Sequence, residues 1–201
     1  QNRSLPLLIE HGAHFDKKIY SNAKNVELVF TLSEKRAKTF RDSWGVPSLS
    51  IGPYIRYAQN PLSTIKLNNL RIRLGKSVVH FPYVDKNIDK NISRNEHVAC
   101  SNFLSSLIRV GEVESVIVCL RSDQLSDPVF KVYHNKDFII ASCGSFTNPF
   151  YLDHLKLLLD LANFTTSNIL SNPLAYSYAC DVPQYLIGSK ALLIERSKDE
   201  Y

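Results

Sequence analysis

Short apolar runs alternate with longer amphipathic stretches along most of this chain. The apolar runs predict strands at residues 5–9, 26–32, 47–51, 76–81, 113–120, 138–141 and 164–167. Apolar side chains at three- and four-residue spacing predict helices at residues 34–44, 65–74, 97–110 and 149–162. Alternation of strands with helices predicts an α/β protein built on parallel sheets with flanking helices.

Two stretches are less regular than the rest. Residues 84–95 are polar and rich in Asn and Lys, which predicts a loop, and residues 129–134 fit either a strand or a helix. The join near residues 59–63 predicts a boundary between an incomplete front half, 1–62, and a fuller back half, 63–201. Met is absent, including at position 1, so we expect the chain to be a fragment.

The back half contains two strand-to-helix turns that open in the same way, at Asn148-Pro149 and at Asn172-Pro173. Asn caps free amides and Pro suits the first helical position, so both pairs predict a helix start. A helix start just beyond a strand end favours a phosphate, although simple capping explains these turns as well. The candidate phosphate-binding residues are Gly144, Ser145, Ser167, Asn168, Ser171 and Asn172.

Polar residues after the first predicted strand form a candidate catalytic group of Glu10, His11 and Asp16, with His14 beside them. A carboxylate next to an imidazole could deprotonate a hydroxyl acceptor. The alternative is a solvated turn in which His11 caps the local backbone. The turn at Gly52-Pro53-Tyr54 is more typical of structure than of catalysis.

Two more candidates follow predicted strands of the back half. His80 could contact a ligand or be a satisfied core histidine, and Arg121 could pair with a diphosphate or form a surface salt bridge. Open parallel sheets bind ligands at the carboxyl ends of their strands, which is the position of both residues.

Charge and cysteine content narrow the possible partners. The net charge of +5 and the pI near 9.0 indicate either a solvated basic surface or attraction to anionic lipid or a polyanionic substrate. Nucleic acid is not predicted, because no recognised fold signature accompanies the charge. The four widely spaced cysteines indicate reduced thiols of a cytoplasmic protein, with zinc binding as a remote alternative.

Several familiar motifs are missing from the sequence. It has no P-loop, no simple dinucleotide fingerprint, no nucleophile elbow and no Asp-x-Asp pair. Metal-bridged diphosphate binding is therefore not predicted, and neither is a cofactor. No apolar run is long enough to predict a membrane span.

The order and spacing of six segments resemble bacterial glycosyltransferases of the two-domain GT-B type that build O-antigen or capsular polysaccharide. The segments are residues 8–12, 51–58, 79–82, 116–120, 148–156 and 166–168. The resemblance implies two Rossmann-like halves, an acceptor-side front half and a donor-side back half. It also implies metal-independent transfer from a nucleotide-sugar to a lipid-linked saccharide, at the cytoplasmic side of the membrane.

By position, the resemblance implies that Gly144, Ser167 and Asn168 lie at the donor's phosphates. It also implies that His11 enters the cleft from the front half. The chain departs from the family pattern at residues 170–176, where a Gly-Thr-His-type turn is expected, and at residues 83–85, where a Ser-His pair is expected. These departures leave two alternatives open. One is an inactive or truncated relative that binds a nucleotide-sugar or a partner, and the other is a phospho-polyol transferase.

Overall fold

The structure is a computed structural model that describes residues 6–10, 19, 26–83, 90–145 and 147–188. The chain divides into two compact units, Gln1–Tyr57 and Ala58–Tyr201. The sequence placed the division at 62/63, and its assignment of the halves to acceptor and donor stays a prediction. The candidates His11 and Asp16, and also His14, lie outside the described residues.

The first unit is a three-stranded parallel sheet with strand order β1-β2-β3. Its elements are β1 (Leu7–Ile9), β2 (Leu28–Thr31), α1 (Glu34–Trp44), β3 (Ser48–Ser50) and a short 3-10 helix (Tyr54–Tyr57). Helix α1 has the predicted bounds because both of its ends are specified locally. The Ser33 hydroxyl accepts from the Arg36 N–H, and Gly45, at φ 66°, donates to the Arg41 carbonyl.

The second unit is a five-stranded parallel sheet with strand order β6-β5-β4-β7-β8. Its strands are β4 (Ser77–Phe81), β5 (Ser115–Cys119), β6 (Ile139–Ala141), β7 (Phe164–Ser167) and β8 (Gln184–Leu186). Its helices are α2 (Thr64–Leu74), α3 (Lys90–Arg109), a 3-10 turn (Pro128–Phe130) that runs into α4 (Lys131–His134), α5 (Tyr151–Leu161) and α6 (Asn172–Ala179).

The strand order makes this sheet doubly wound. The chain moves outward from β4 to β5 and β6, and α5 then returns it to β7 on the other side of β4. This is the order in which Rossmann-type sheets reverse direction, with the switch point here between β4 and β7. The predicted α/β class with parallel sheets and flanking helices is therefore confirmed.

The core of the second unit explains why β4 occupies the centre. Every residue of β4 is buried, as expected for a strand covered on both faces. On one face Val78 packs in an apolar cluster with Leu104 of α3, Val116 and Val118 of β5, and Tyr133 of α4. Each of these five side chains is fully buried, so the pairing of β4 with β5 is fixed by packing as well as by hydrogen bonds.

Among the predicted helices, the boundaries that differ most from the prediction are the starts of α3 and α5, and the choice left open at residues 129–134 is settled. Residues 90–95, which were predicted as part of a loop, form the start of α3. Helix α3 begins at Lys90, because polar Ser93 and Glu96 are 5% and 3% exposed and therefore belong to its inner face. Residues 128–134 are helical. Helix α5 begins at Tyr151, two residues late, because Asn148 forms a turn in which its side chain accepts from the Phe150 N–H. No helix within the described ranges is long and apolar enough to cross a membrane.

Candidate functional site

Parallel pairing places most of the candidate residues of the second unit at one edge of the sheet. The segments that follow β5, β6 and β7 all leave from the carboxyl edge. They carry Arg121, Gly144, Ser145, Asn168, Ser171 and Asn172. The strands β6 and β7, which precede α5 and α6, are three strand intervals apart, roughly 14 Å at about 4.8 Å per interval. A ligand that contacts the ends of both strands must therefore be extended.

Asn168 links the two loops at the switch point between β4 and β7 by hydrogen bonds. Its side-chain oxygen accepts from the Tyr83 N–H at 2.8 Å, and its side-chain nitrogen donates to the Tyr83 carbonyl at 2.8 Å. The amide therefore joins the loop after β4 to the loop after β7. Asn168 thus holds the loop after β4 at a fixed distance from the loop after β7.

Ser167 and His80 lie inside the protein below that edge, and both are 0% exposed. The Ser167 hydroxyl donates to the Ile169 carbonyl at 2.8 Å and accepts from the Gln184 amide at 2.8 Å. A direct contact of either residue with a donor would require exposure that this arrangement does not provide. His80 has the geometry of a satisfied core histidine, the alternative that the sequence left open.

His80 belongs to a buried chain of polar groups that the sequence did not reveal. Its Nδ1 lies 2.9 Å from the Thr166 hydroxyl, and its Nε2 lies 3.1 Å from the Tyr133 hydroxyl. The Tyr133 hydroxyl also lies 2.9 Å from Nδ1 of His97, which is itself fully buried. The other ring nitrogen of His97 has no hydrogen-bond partner among the described residues.

Burial keeps both rings neutral at ordinary pH. It lowers the pKa of His80 to about 3, helped by the nearby His97, and lowers the pKa of His97 to about 4 against an opposing effect of Asp127. Burial likewise raises the pKa of Tyr133 well above 10. The group therefore ties β4, β7, α3 and α4 together without charge.

The loop that leads into α5 is held by its own polar groups. Gly144 has φ 89°, and a Cβ there would lie 2.8 Å from the Asn148 side-chain nitrogen, so only glycine fits. The Gly144 N–H donates to the Ser142 hydroxyl at 3.1 Å, and Asn148 donates to the Cys143 carbonyl at 3.1 Å. Exposed Ser145 is hydrogen-bonded to Thr147 at 2.8 Å. The loop is thus shaped before any ligand arrives.

The start of α6 is built differently. Ser171 is its N-cap residue, but the hydroxyl makes no cap hydrogen bond, unlike the N-cap serines of α1 and α2. Asn172 is the first helical residue and Pro173 follows it, so the sequence placed the cap one residue late. Both Ser171 and Asn172 are half-buried.

Arg121 already has an anionic partner. Its Nε and Nη2 donate to the two carboxylate oxygens of Asp123 at 3.0 Å and 2.8 Å, with the arginine side chain 30% exposed. This bidentate geometry is also the one that a phosphate would take, so Asp123 occupies the position of such a ligand. The salt-bridge alternative describes Arg121 as it stands here.

The pKa of Tyr151, the first residue of α5, responds to several groups at this edge of the sheet. Burial first, and then Cys143, Cys119 and Tyr176, raise the pKa of Tyr151, while Arg121 lowers it. Tyr151 opens α5 and Tyr176 lies in α6, so side chains from both helices and from the ends of β5 and β6 share one electrostatic environment.

Glu10, in the first unit, is a structural carboxylate in this conformation. It is 5% exposed and pairs with Arg36, which is 2% exposed and donates through Nε at 2.8 Å and through Nη2. Tyr54 donates to the Glu10 carbonyl at 2.8 Å. The Glu10 carboxylate therefore neutralises a buried guanidinium in this structure, and its place in the candidate catalytic group with His11 and Asp16 stays a prediction.

Sequence reasoning missed Arg36 because it treated the basic residues of α1 as part of a surface that is either solvated or attracted to anionic partners. The available signal was its spacing, since Arg36, Ala37 and Phe40 share one helix face and all three are buried. Asp123, two residues beyond Arg121, was not singled out from the sequence.

A cavity of about 900 Å³ lies elsewhere in the second unit, between α3 and strands β7 and β8. Phe103, Leu107, Phe164, Tyr185 and Ile187 are among its lining residues, and no predicted site residue is. Within the described part of the chain, no group of three or more His, Cys, Asp or Glu side chains could hold a metal ion.

Comparisons with known proteins give limited information. No protein-family model and no curated protein matches the chain. One similar solved structure is that of Phytolacca americana UGT2 complexed with UDP-2fluoro-glucose and pterostilbene, at 13% identity and TM-score 0.41. The match covers 82% of this chain and 36% of that one, so the chain spans about a third of its length. At that identity and TM-score, the likeness gives no information on residues or activity.

Replacing Glu10 by Ala should destabilise the first unit by about 3–5 kcal/mol, because the buried Arg36 guanidinium would lose the Glu10 carboxylate that pairs with it. Glu34→Ala is the matched control, since Glu34 and its partner Arg41 are 71% and 40% exposed and such pairs contribute about 1 kcal/mol or less. Urea unfolding followed by fluorescence of Trp44, the single tryptophan, reports on this unit. Equal stability of the two variants would contradict a buried ion pair at Glu10.

The second unit should lose stability as the pH falls below 6.5. The pKa values of His80 and His97 are about 3 and about 4 when folded and 6.5 when unfolded, so the unfolded chain binds more protons in this window. The expected loss from 6.5 to about pH 5 is roughly 2 kcal/mol per histidine. Urea unfolding followed by circular dichroism at a series of pH values measures it.

His97→Asn keeps a polar atom near the Tyr133 hydroxyl but removes one titrating ring, so about half of this pH dependence should disappear. His134→Gln, at an exposed position of α4, should keep the wild-type slope. A wild-type slope in His97→Asn would mean that the pH dependence comes from other groups.

Proposed function

We propose that the second unit binds a nucleotide-sugar along the carboxyl edge of its sheet and that the chain takes part in glycosyl transfer. The observation that carries this proposal is the β4/β7 switch point, with α5 and α6 opening at the same edge on either side. In open α/β sheets the crevice at a switch point is where ligands bind. Helix starts add partial positive charge there, which suits a diphosphate.

The spacing of β6 and β7 favours an extended donor. A nucleoside diphosphate sugar carries a base, a ribose, two phosphates and a sugar in line, so it can span roughly 14 Å between the segments after β6 and β7. The geometry supports a diphosphate near Arg121 and α5, with the rest of the donor reaching toward Ser171 and Asn172. Asn168 would hold the loops at the correct separation.

The reaction requires stabilisation of the charge that develops on the departing nucleoside diphosphate. Arg121 would exchange Asp123 for the phosphates, and the Gly144 N–H would likewise exchange the Ser142 hydroxyl. The Ser145 N–H would add a hydrogen bond of roughly 3 kcal/mol. These groups would make transfer independent of a metal ion. His11, with Asp16 nearby in the sequence, stays the proposed base for the acceptor hydroxyl.

The proposed acceptor and location follow from the sequence resemblance to glycosyltransferases of surface polysaccharide biosynthesis. We propose that the acceptor is a lipid-linked saccharide of surface polysaccharide (O-antigen or capsule) biosynthesis, used at the cytoplasmic face of a membrane. The net charge of +5 is consistent with peripheral contact with anionic lipid.

A second candidate is a binding module without turnover. The Glu10–Arg36 pair favours it, because one of the three proposed catalytic side chains is already engaged in a buried ion pair. Binding of a nucleotide-sugar without hydrolysis or transfer would support this candidate, and product formation would exclude it.

A thermal-shift panel of UDP-, GDP-, CDP- and dTDP-linked sugars, with a CDP-polyol included, tests donor binding. A donor at about 100 times its dissociation constant should stabilise the unit that binds it by ~2.7 kcal/mol. A response to the CDP-polyol alone would point to phospho-polyol transfer. If no nucleotide stabilises the chain, the proposed donor site is wrong.

Two substitutions at the edge should change donor affinity in opposite directions. Arg121→Ala should weaken binding about 10- to 100-fold, because a charged, bidentate contact is lost. Asp123→Asn should strengthen binding several-fold, because the guanidinium no longer has to leave a carboxylate. Isothermal calorimetry with the donor found by the panel measures both effects.

Arg109→Ala, at an exposed position at the end of α3, is the matched control for loss of one positive charge. It should leave the affinity unchanged at moderate salt. If Arg121→Ala and Arg109→Ala bind equally well, Arg121 does not contact the donor.

A further inference from the structure

Two cysteine thiols meet at the carboxyl edge of the sheet. Cys119 is the last residue of β5 and pairs in register with Ala141, the last residue of β6. Cys143 lies two residues further along, and the two sulfur atoms are 3.7 Å apart. Cys100 and Cys180, the other cysteines, lie in α3 and just after α6.

The two thiols differ in accessibility. Cys119 is half-buried, whereas Cys143 is 1% exposed. The hydrogen bond with Cys119, followed by burial, raises the pKa of the Cys143 thiol well above its usual range. An external reagent therefore reaches Cys119 first, and Cys143 is placed behind it.

The two sulfur atoms need to move only a short distance to form a disulfide bond. A disulfide requires sulfur atoms about 2.05 Å apart, so the present contact must shorten by about 1.7 Å. Cys119 ends its strand and Cys143 adjoins Gly144 in a loop, so both can turn about their side-chain bonds without unpairing β5 from β6.

We propose that Cys119 and Cys143 are a reversible disulfide site that is oxidised by thiol–disulfide exchange with a low-molecular-weight disulfide such as glutathione disulfide. The Cys119 thiolate attacks one sulfur of glutathione disulfide, which forms a mixed disulfide and releases one glutathione thiolate. Cys143 then gives up its proton and attacks the Cys119 sulfur, which releases the second glutathione. Two protein thiols are oxidised, and one glutathione disulfide is reduced to two thiols.

The bond would act on the loop that opens α5. The Cys143 carbonyl accepts from Asn148, and Gly144 follows directly, so oxidation would link the end of β5 to the segment that shapes the edge. The proposal does not depend on nucleotide-sugar binding, because exchange is measured without any nucleotide. Failure of one proposal therefore leaves the other intact.

The test is to incubate the native chain in glutathione buffers of increasing oxidised fraction, block remaining thiols with N-ethylmaleimide, and map peptides by mass spectrometry. Free thiols should fall from four per chain to two, with one crosslink between the peptides of Cys119 and Cys143. Dithiothreitol should restore four free thiols. If no such crosslink forms in oxidised buffer, or if crosslinks to Cys100 or Cys180 form in equal yield, the proposal is overturned.

Single variants test the order of the two steps. Cys143→Ser should accumulate a stable glutathione adduct on Cys119, because the resolving thiol is absent, and Cys119→Ser should leave Cys143 unmodified. Cys180→Ser, at a half-buried position after α6, should behave as the wild type. Circular dichroism verifies that each variant is folded, and the crosslink map of the native chain decides the question if a variant is not. Rapid modification of Cys143 in folded Cys119→Ser would refute the assigned order.

Discussion

The architecture of the second unit depends on the burial of β4 between two parallel neighbours. β4 is paired with β5 on one side and β7 on the other, and all of its residues are buried. A shift of one residue in this register would exchange the two faces of the strand and bring Val79 where Val78 now packs against α3. The same pairing determines which loops leave the carboxyl edge together. Packing thus fixes the position of the proposed donor site.

Much of this arrangement follows from local sequence. The bounds of α1 and β7 are as predicted. Capping residues specify α1, and an aromatic residue followed by two β-branched threonines favours a strand at β7. The strand order was beyond local reasoning, because it depends on which apolar strands meet in space. The start of α3 was missed for a related reason. Ser93 and Glu96 look solvent-exposed in sequence but face inward.

The candidate site shows the same division between local and long-range information. The carboxyl edge was predictable, because parallel α/β proteins place polar loops there. The hydrogen-bond and ion-pair partners of individual side chains were not predictable, since those partners lie far away along the chain. Glu10 meets Arg36 across 26 residues, and Asn168 meets Tyr83 across 85. The sequence identified the edge of the sheet at which the candidate site residues lie. The structure shows which of these residues already form hydrogen bonds or ion pairs.

The Tyr133 hydroxyl contacts both His80 and His97 but has only one hydrogen to donate. The ring that receives this hydrogen determines which atom donates and which accepts at every step of the buried chain of polar groups. If the hydrogen pointed to His97, the Nε2 of that ring would carry a buried N–H with nothing among the described residues to accept it. An orphaned lone pair is less costly than an orphaned N–H. We infer that His97 donates to Tyr133, Tyr133 donates to His80, and His80 donates to Thr166. The Nε2 atom of His97, which has no hydrogen-bond partner among the described residues, thus determines the direction of each hydrogen bond from His97 in α3 to Thr166 in β7.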